Sequence, residues 1–107
     1  MIKVTIFKNS QQEYVGFSVQ GHAGYAEAGK DIVCAAVSVL AVNTVNSIEQ
    51  LTEDLFTTNV QSGMLSFNFK GKESDASHLL IDSFILGIEG VRQEDNENYI
   101  KIVFKEV

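Results

Sequence analysis

The 107-residue sequence predicts an α+β fold: a two-layer domain with a mainly antiparallel sheet and two packed helices, in the order strand-strand-helix-strand-strand-helix-strand. Three observations carry this expectation. Residues 2–7 and 14–20 alternate apolar and polar side chains, as half-buried strands do. Two longer segments, residues 32–51 and 75–89, repeat apolar residues at helical spacing. The strands also come in adjacent runs, which pair antiparallel through short turns; a doubly wound parallel sheet needs a crossover between each pair.

In the first hairpin, Ile2, Val4 and Ile6 face one way and Lys3, Thr5 and Phe7 the other. Asn9, Ser10 and Gln11 read as a turn, after which Val15, Phe17 and Val19 alternate with Gly16, Ser18 and Gln20. This second strand hands the chain to Gly21 and His22. The helix over residues 32–51 is apolar nearly all round in its first half and becomes one-sided later, with Val45, Ile48 and Leu51 on one stripe. A helix apolar on every side must be covered on every side, so a second helix alongside, a homodimer interface, or both are expected.

Residues 55–60 read as a short strand, Ser62 and Gly63 as a turn, and residues 64–70 as a strand presenting Leu65, Phe67 and Phe69. Ser74 or Asp75 caps a helix to residue 89 that buries Leu80, Ile81, Phe84, Ile85 and Ile88 and stops at Gly90. His78 shares a face with Asp75 and Asp82 and reads as a solvated surface histidine. Residues 95–98 form a turn, and residues 99–105 alternate as the last strand.

The length suits one domain over residues 1–107 with a real core. Eight basic against fourteen acidic side chains give a net charge of −6, which argues against direct nucleic-acid binding through a basic surface and favours attraction to a basic protein. A lone cysteine excludes an intramolecular disulfide, and the opening MIKVTIF lacks the sections of a signal peptide, so a cytoplasmic setting is expected. The longest apolar run, residues 32–42, is interrupted by Ser38 and falls short of the roughly twenty residues that span a bilayer, so no membrane segment is expected. One Cys and one His within reach leave a zinc site short of ligands, and no metal or other cofactor is expected.

Chemistry concentrates in GHAGYAEAGKDIVCAAVSVL, residues 21–40. Asp31 has the character of an N-cap, which makes Cys34 the third helical residue, inside the positive end of the helix dipole where thiolate is favoured. The negative charge of Asp31 opposes that effect, so His22 is needed as base or imidazolium partner. Ala35 and Ala36 leave room beside the sulfur, Ser38 lies one turn on, and backbone amides near Cys34 are candidate oxyanion donors. Gly21, Gly24 and Gly29 give the intervening segment wide backbone freedom and make it a candidate gate that substrate orders. The competing reading is a packed structural cysteine, the commoner fate of a lone cysteine in an apolar helix, within a non-catalytic binding module.

GHA, six residues, then KDIVCAAVS resembles the signature of the ribosomal-processing cysteine proteases of bacteria, the Prp family. The resemblance extends over the chain in length and element order, although its specificity lies in residues 21–38. It implies a catalytic dyad of His22 and Cys34, with Asp31 and Ser38 as family-typical supporting residues. It also implies an endopeptidase whose partner is a large-subunit ribosomal protein, trimmed of a short N-terminal extension after an apolar segment ending in paired aromatic residues. Sequence assigns no third catalytic residue.

Overall fold

The computed structural model describes residues 1–21, 30–94 and 96–107, with the side chains of residues 30 and 31 also outside the description. Its elements run β1 (Ile2–Lys8), β2 (Tyr14–Gln20), α1 (Lys30–Leu51), β3 (Phe56–Gln61), β4 (Met64–Phe69), α2 (Asp75–Gln93) and β5 (Ile100–Glu106). The strands form one sheet in the order β3-β4-β2-β1-β5. Three pairings are antiparallel, and β1 with β5 is parallel, so the sheet is mixed at one edge. The fold class and element order are those the sequence predicts.

Register turns the alternation of each strand into one continuous apolar face. Val4 pairs with Val19 and Val19 with Leu65, while Ile6 pairs with Phe17 and Phe17 with Phe67. These residues are all buried, and aromatic contacts join them within the sheet, Phe17 to Phe67 at 5.2 Å and Phe56 to Phe67 at 4.7 Å, and across the layers, Phe17 to Phe84 of α2 at 4.7 Å. A register shift sits between Phe7 and Lys8, opposite the start of β2. Gly16 is required nearby, because a Cβ there would stand 2.2 Å from the Phe67 carbonyl oxygen.

Both helices cover this face. α1 buries Val33, Cys34, Val37, Ala41, Thr44 and Ile48, and α2 buries Ser77, Ile81, Phe84 and Ile88, one helical stripe on each. The helices meet where Gly87 leaves room for Leu40, whose Cδ2 would lie 3.0 Å from an added Cβ. The expected helix alongside α1 is therefore α2. It leaves Ile32, Val39, Val42 and Leu51 of α1 exposed.

Three expectations are corrected. α2 runs on to Gln93 instead of stopping at Gly90, which sits inside the helix with open space where a Cβ would stand. α1 is already helical at Lys30, so Asp31 lies inside the helix and is not its N-cap, and Cys34 stands at least five residues into it. Residues Ile32–Leu51 are also long and apolar enough by length and composition to cross a membrane, because Asn43, Thr44 and Asn46 do not interrupt the helix. Its core stripe lies against the sheet, with Val37, Ala41 and Ile48 each no more than 1% exposed.

Candidate active site around Cys34

Cys34 is a free cysteine on the sheet-facing side of α1, 7% exposed, between Val33 and Val37 in the core. An α-helix leaves its first four amides without intrahelical partners. Since α1 is already helical at Lys30, those amides belong to residues ahead of Val33, N-terminal to Cys34. The positive end of the dipole is therefore strongest ahead of the sulfur, and it favours thiolate at Cys34 less than a position in the first turn would. His22, Gly24 and Gly29 lie outside the described residues, as does the side chain of Asp31.

Gly21, at the end of β2, is described and is tightly held. Its φ is +86°, its amide donates to the Gly63 carbonyl at 2.8 Å, and a Cβ would stand 2.5 Å from the Met1 carbonyl oxygen. Glycine is needed here both for the left-handed backbone and for the close approach of another strand.

One turn beyond Cys34, Ser38 lines a hollow of about 90 Å³ with Val19, Ala41, Val42, Val60 and Leu65. On the outer side of the helix, Ser38 also borders an open groove of about 370 Å³ with Val39, Val42, Asn43 and Asn46. The hollow's β3 wall is left uncovered: Val60 of β3 pairs with Leu65 and remains 71% exposed. Sequence reading found Ser38 but not the β-strand walls. Their proximity depends on β2–β4–β3 pairing, which no local spacing records.

A second polar cluster occupies the far end of β2. His78 is not merely solvated: its Nδ1 lies 2.6 Å from Glu73 Oε1, its Nε2 lies 3.6 Å from Asp82 Oδ2, and its ring stacks on Tyr14 at 4.5 Å. The Glu73 hydrogen bond holds the imidazole's pKa above its ordinary value, with burial opposing and the charges of Glu73 and Asp82 reinforcing it. Among the described residues, no three His, Cys, Asp or Glu side chains gather as metal ligands.

The sequence model of cysteine protease Prp matches residues 1–101. The chain belongs to the Prp family of cysteine proteases. A ribosomal processing cysteine protease Prp of Bacillus subtilis (strain 168) is 30% identical over 104 residues, covering 92% of this chain and 93% of that protein. A crystal structure of the essential Prp from S. aureus in complex with a substrate peptide superposes with a TM-score of 0.91 at 27% identity, covering 98% of this chain and all of that one. The S. aureus Prp with a covalently linked product peptide gives 0.85 at 29% identity, with the same coverage. Membership in the Prp family makes this chain a cysteine protease with the Prp fold, and the two-layer architecture on which Cys34 sits is the one those structures share.

Proposed function

We propose that this protein is a processing endopeptidase acting on a large-subunit ribosomal protein, with Cys34 as nucleophile and His22 as its proton-transfer partner. One observation carries the reading: a cysteine protease needs a thiol, and this chain has one cysteine. The sulfur attacks the scissile carbonyl carbon while His22 takes the thiol proton. Collapse of the tetrahedral species breaks the C–N bond, and the imidazolium gives its proton to the leaving amine. Water, deprotonated by His22, then cleaves the thioester and frees the acid product. Asp31 and Ser38 support the helix start and the surroundings of the thiol, and Gly21, Gly24 and Gly29 shape the segment that carries His22.

The apolar hollow beside Ser38 suits an aliphatic or aromatic side chain of a bound peptide, in keeping with cleavage after an apolar, aromatic-ended segment. Burial of Cys34 adds a requirement, since the sulfur must be uncovered before it can attack. A homodimer through the exposed Ile32, Val39 and Val42 of α1, and a cytoplasmic location, complete the proposal.

The test is cleavage of peptides that carry an apolar stretch ending in paired aromatic residues. Wild type should cut at one position, while Cys34→Ala and His22→Gln, with unchanged circular dichroism, should lose at least about a hundredfold in kcat/KM. Cleavage by Cys34→Ala at the wild-type rate would overturn the assignment of the nucleophile.

A further inference from the structure

The cluster at the opposite end of β2 from Gly21 contains a buried carboxylate that the proposed chemistry does not use. The Glu73 side chain is 4% exposed, and its Oε1 accepts from both the Tyr14 amide at 2.9 Å and His78 Nδ1 at 2.6 Å. Its Oε2 has no hydrogen-bond partner among the described residues. A buried carboxylate charge with one unpaired oxygen is costly unless a positive group stands close. His78 is in direct contact with it.

The other charged groups around the imidazole come from each element packed there. Asp82 of α2 lies 3.6 Å from Nε2 and accepts a hydrogen bond from the Tyr14 hydroxyl of β2. Lys8 of β1 holds its ammonium 5.1 Å from the centre of the Tyr14 ring and opposes a charge on His78. Glu13 and Lys72 form a pair at 3.1 Å nearby in sequence, with the lysine exposed and the glutamate half-buried. Two carboxylates thus contact the ring and one ammonium opposes them.

We propose that His78 is a proton-operated clasp: as imidazolium it compensates the buried Glu73 and fastens the first turns of α2 to the start of β2, and on losing its proton it loosens that end of the fold. The sign follows from linkage. The folded protein holds this proton more tightly than the unfolded chain, so the stabilisation is fully present below the unfolded histidine pKa of about 6.5 and is lost as pH rises through the folded value. The clasp lies at Tyr14, six residues along β2 from Gln20, where the strand passes towards Gly21 and His22.

The test is an NMR titration of the His78 ring in the full chain, assigned against His78→Gln, together with urea unfolding and Tyr14 amide protection across pH 5.5 to 9. His78 should titrate above about 6.5. Over that titration the wild-type urea midpoint and Tyr14 protection should fall, and His78→Gln, which shares every other ionisable group, should lack that component. Glu73→Gln, which keeps an acceptor for the Tyr14 amide, should lower the His78 midpoint towards the free value. A His78 midpoint at or below the free value, an equal fall in His78→Gln, or a midpoint unmoved by Glu73→Gln would overturn the clasp.

Discussion

Phe17 of β2 and Phe84 of α2 meet with ring centroids 4.7 Å apart, tilted by 36°, and are 0% and 2% exposed. This contact fixes the second layer onto the sheet's middle strand. Truncating Phe84→Ala should cost about 3–5 kcal/mol, through lost burial and the cavity left behind. Leu86→Ala, two residues on but 75% exposed, should change stability by less than about 0.5 kcal/mol in the same urea titration. Equal losses would mean that α2 packs by a different face.

Two glycine-to-alanine changes should have opposite signs. At Gly16 the new methyl would stand 2.2 Å from the Phe67 carbonyl and 2.9 Å from Asn68 Oδ1, so β2 and β4 must part, at a cost of about 1–3 kcal/mol. At Gly90, inside α2, nothing lies within 4 Å, and alanine should stabilise by about 0.5–1 kcal/mol through better helix propensity. Thermal melts of the two variants against wild type decide this.

The start of α2 depends on Ser74, whose hydroxyl oxygen accepts from the Ser77 amide while the hydroxyl itself donates to Asp54 at 2.7 Å. Ser74→Ala should lose about 1 kcal/mol, and Ser74→Thr should recover much of it. Loss with both substitutions alike would remove capping as the reason.

Tyr14 is expected to stay neutral well above the range in which ordinary tyrosines ionise, because burial and its hydrogen bond to the Asp82 carboxylate disfavour phenolate. In an ultraviolet titration Tyr14 should lag behind the ordinary tyrosine range until the protein unfolds. The sign for stability is the same as for His78: the contribution holds below the unfolded tyrosine pKa of about 10 and is lost at higher pH. Tyr14→Phe should abolish the lag.

If the hollow beside Ser38 receives a substrate side chain, Val60→Asp should raise KM for peptide cleavage at least several-fold with little change in melting temperature, since Val60 is 71% exposed and contributes little to the core. Unchanged kinetics in that variant would place the peptide elsewhere.

The local record in the sequence was sufficient for the elements and for their inward faces. Alternation marked Val4, Ile6, Phe17 and Val19, and helical spacing marked Ile81, Phe84 and Ile88, because side-chain period is a property of backbone geometry that each segment carries by itself. The lone thiol and the motif around it likewise needed no partner to be noticed. Tertiary structure decided what depends on residues distant in the chain. The parallel seat of β5 beside β1, the wall that Val60 lends to the hollow at Ser38, and the meeting of Glu73 with Tyr14, 59 residues away, follow from strand order and register. Helix ends fell between the two, since Gly90 is tolerated inside α2 by the packing of Ile81, Phe84 and Ile88 on the sheet, an energy that local propensity does not contain.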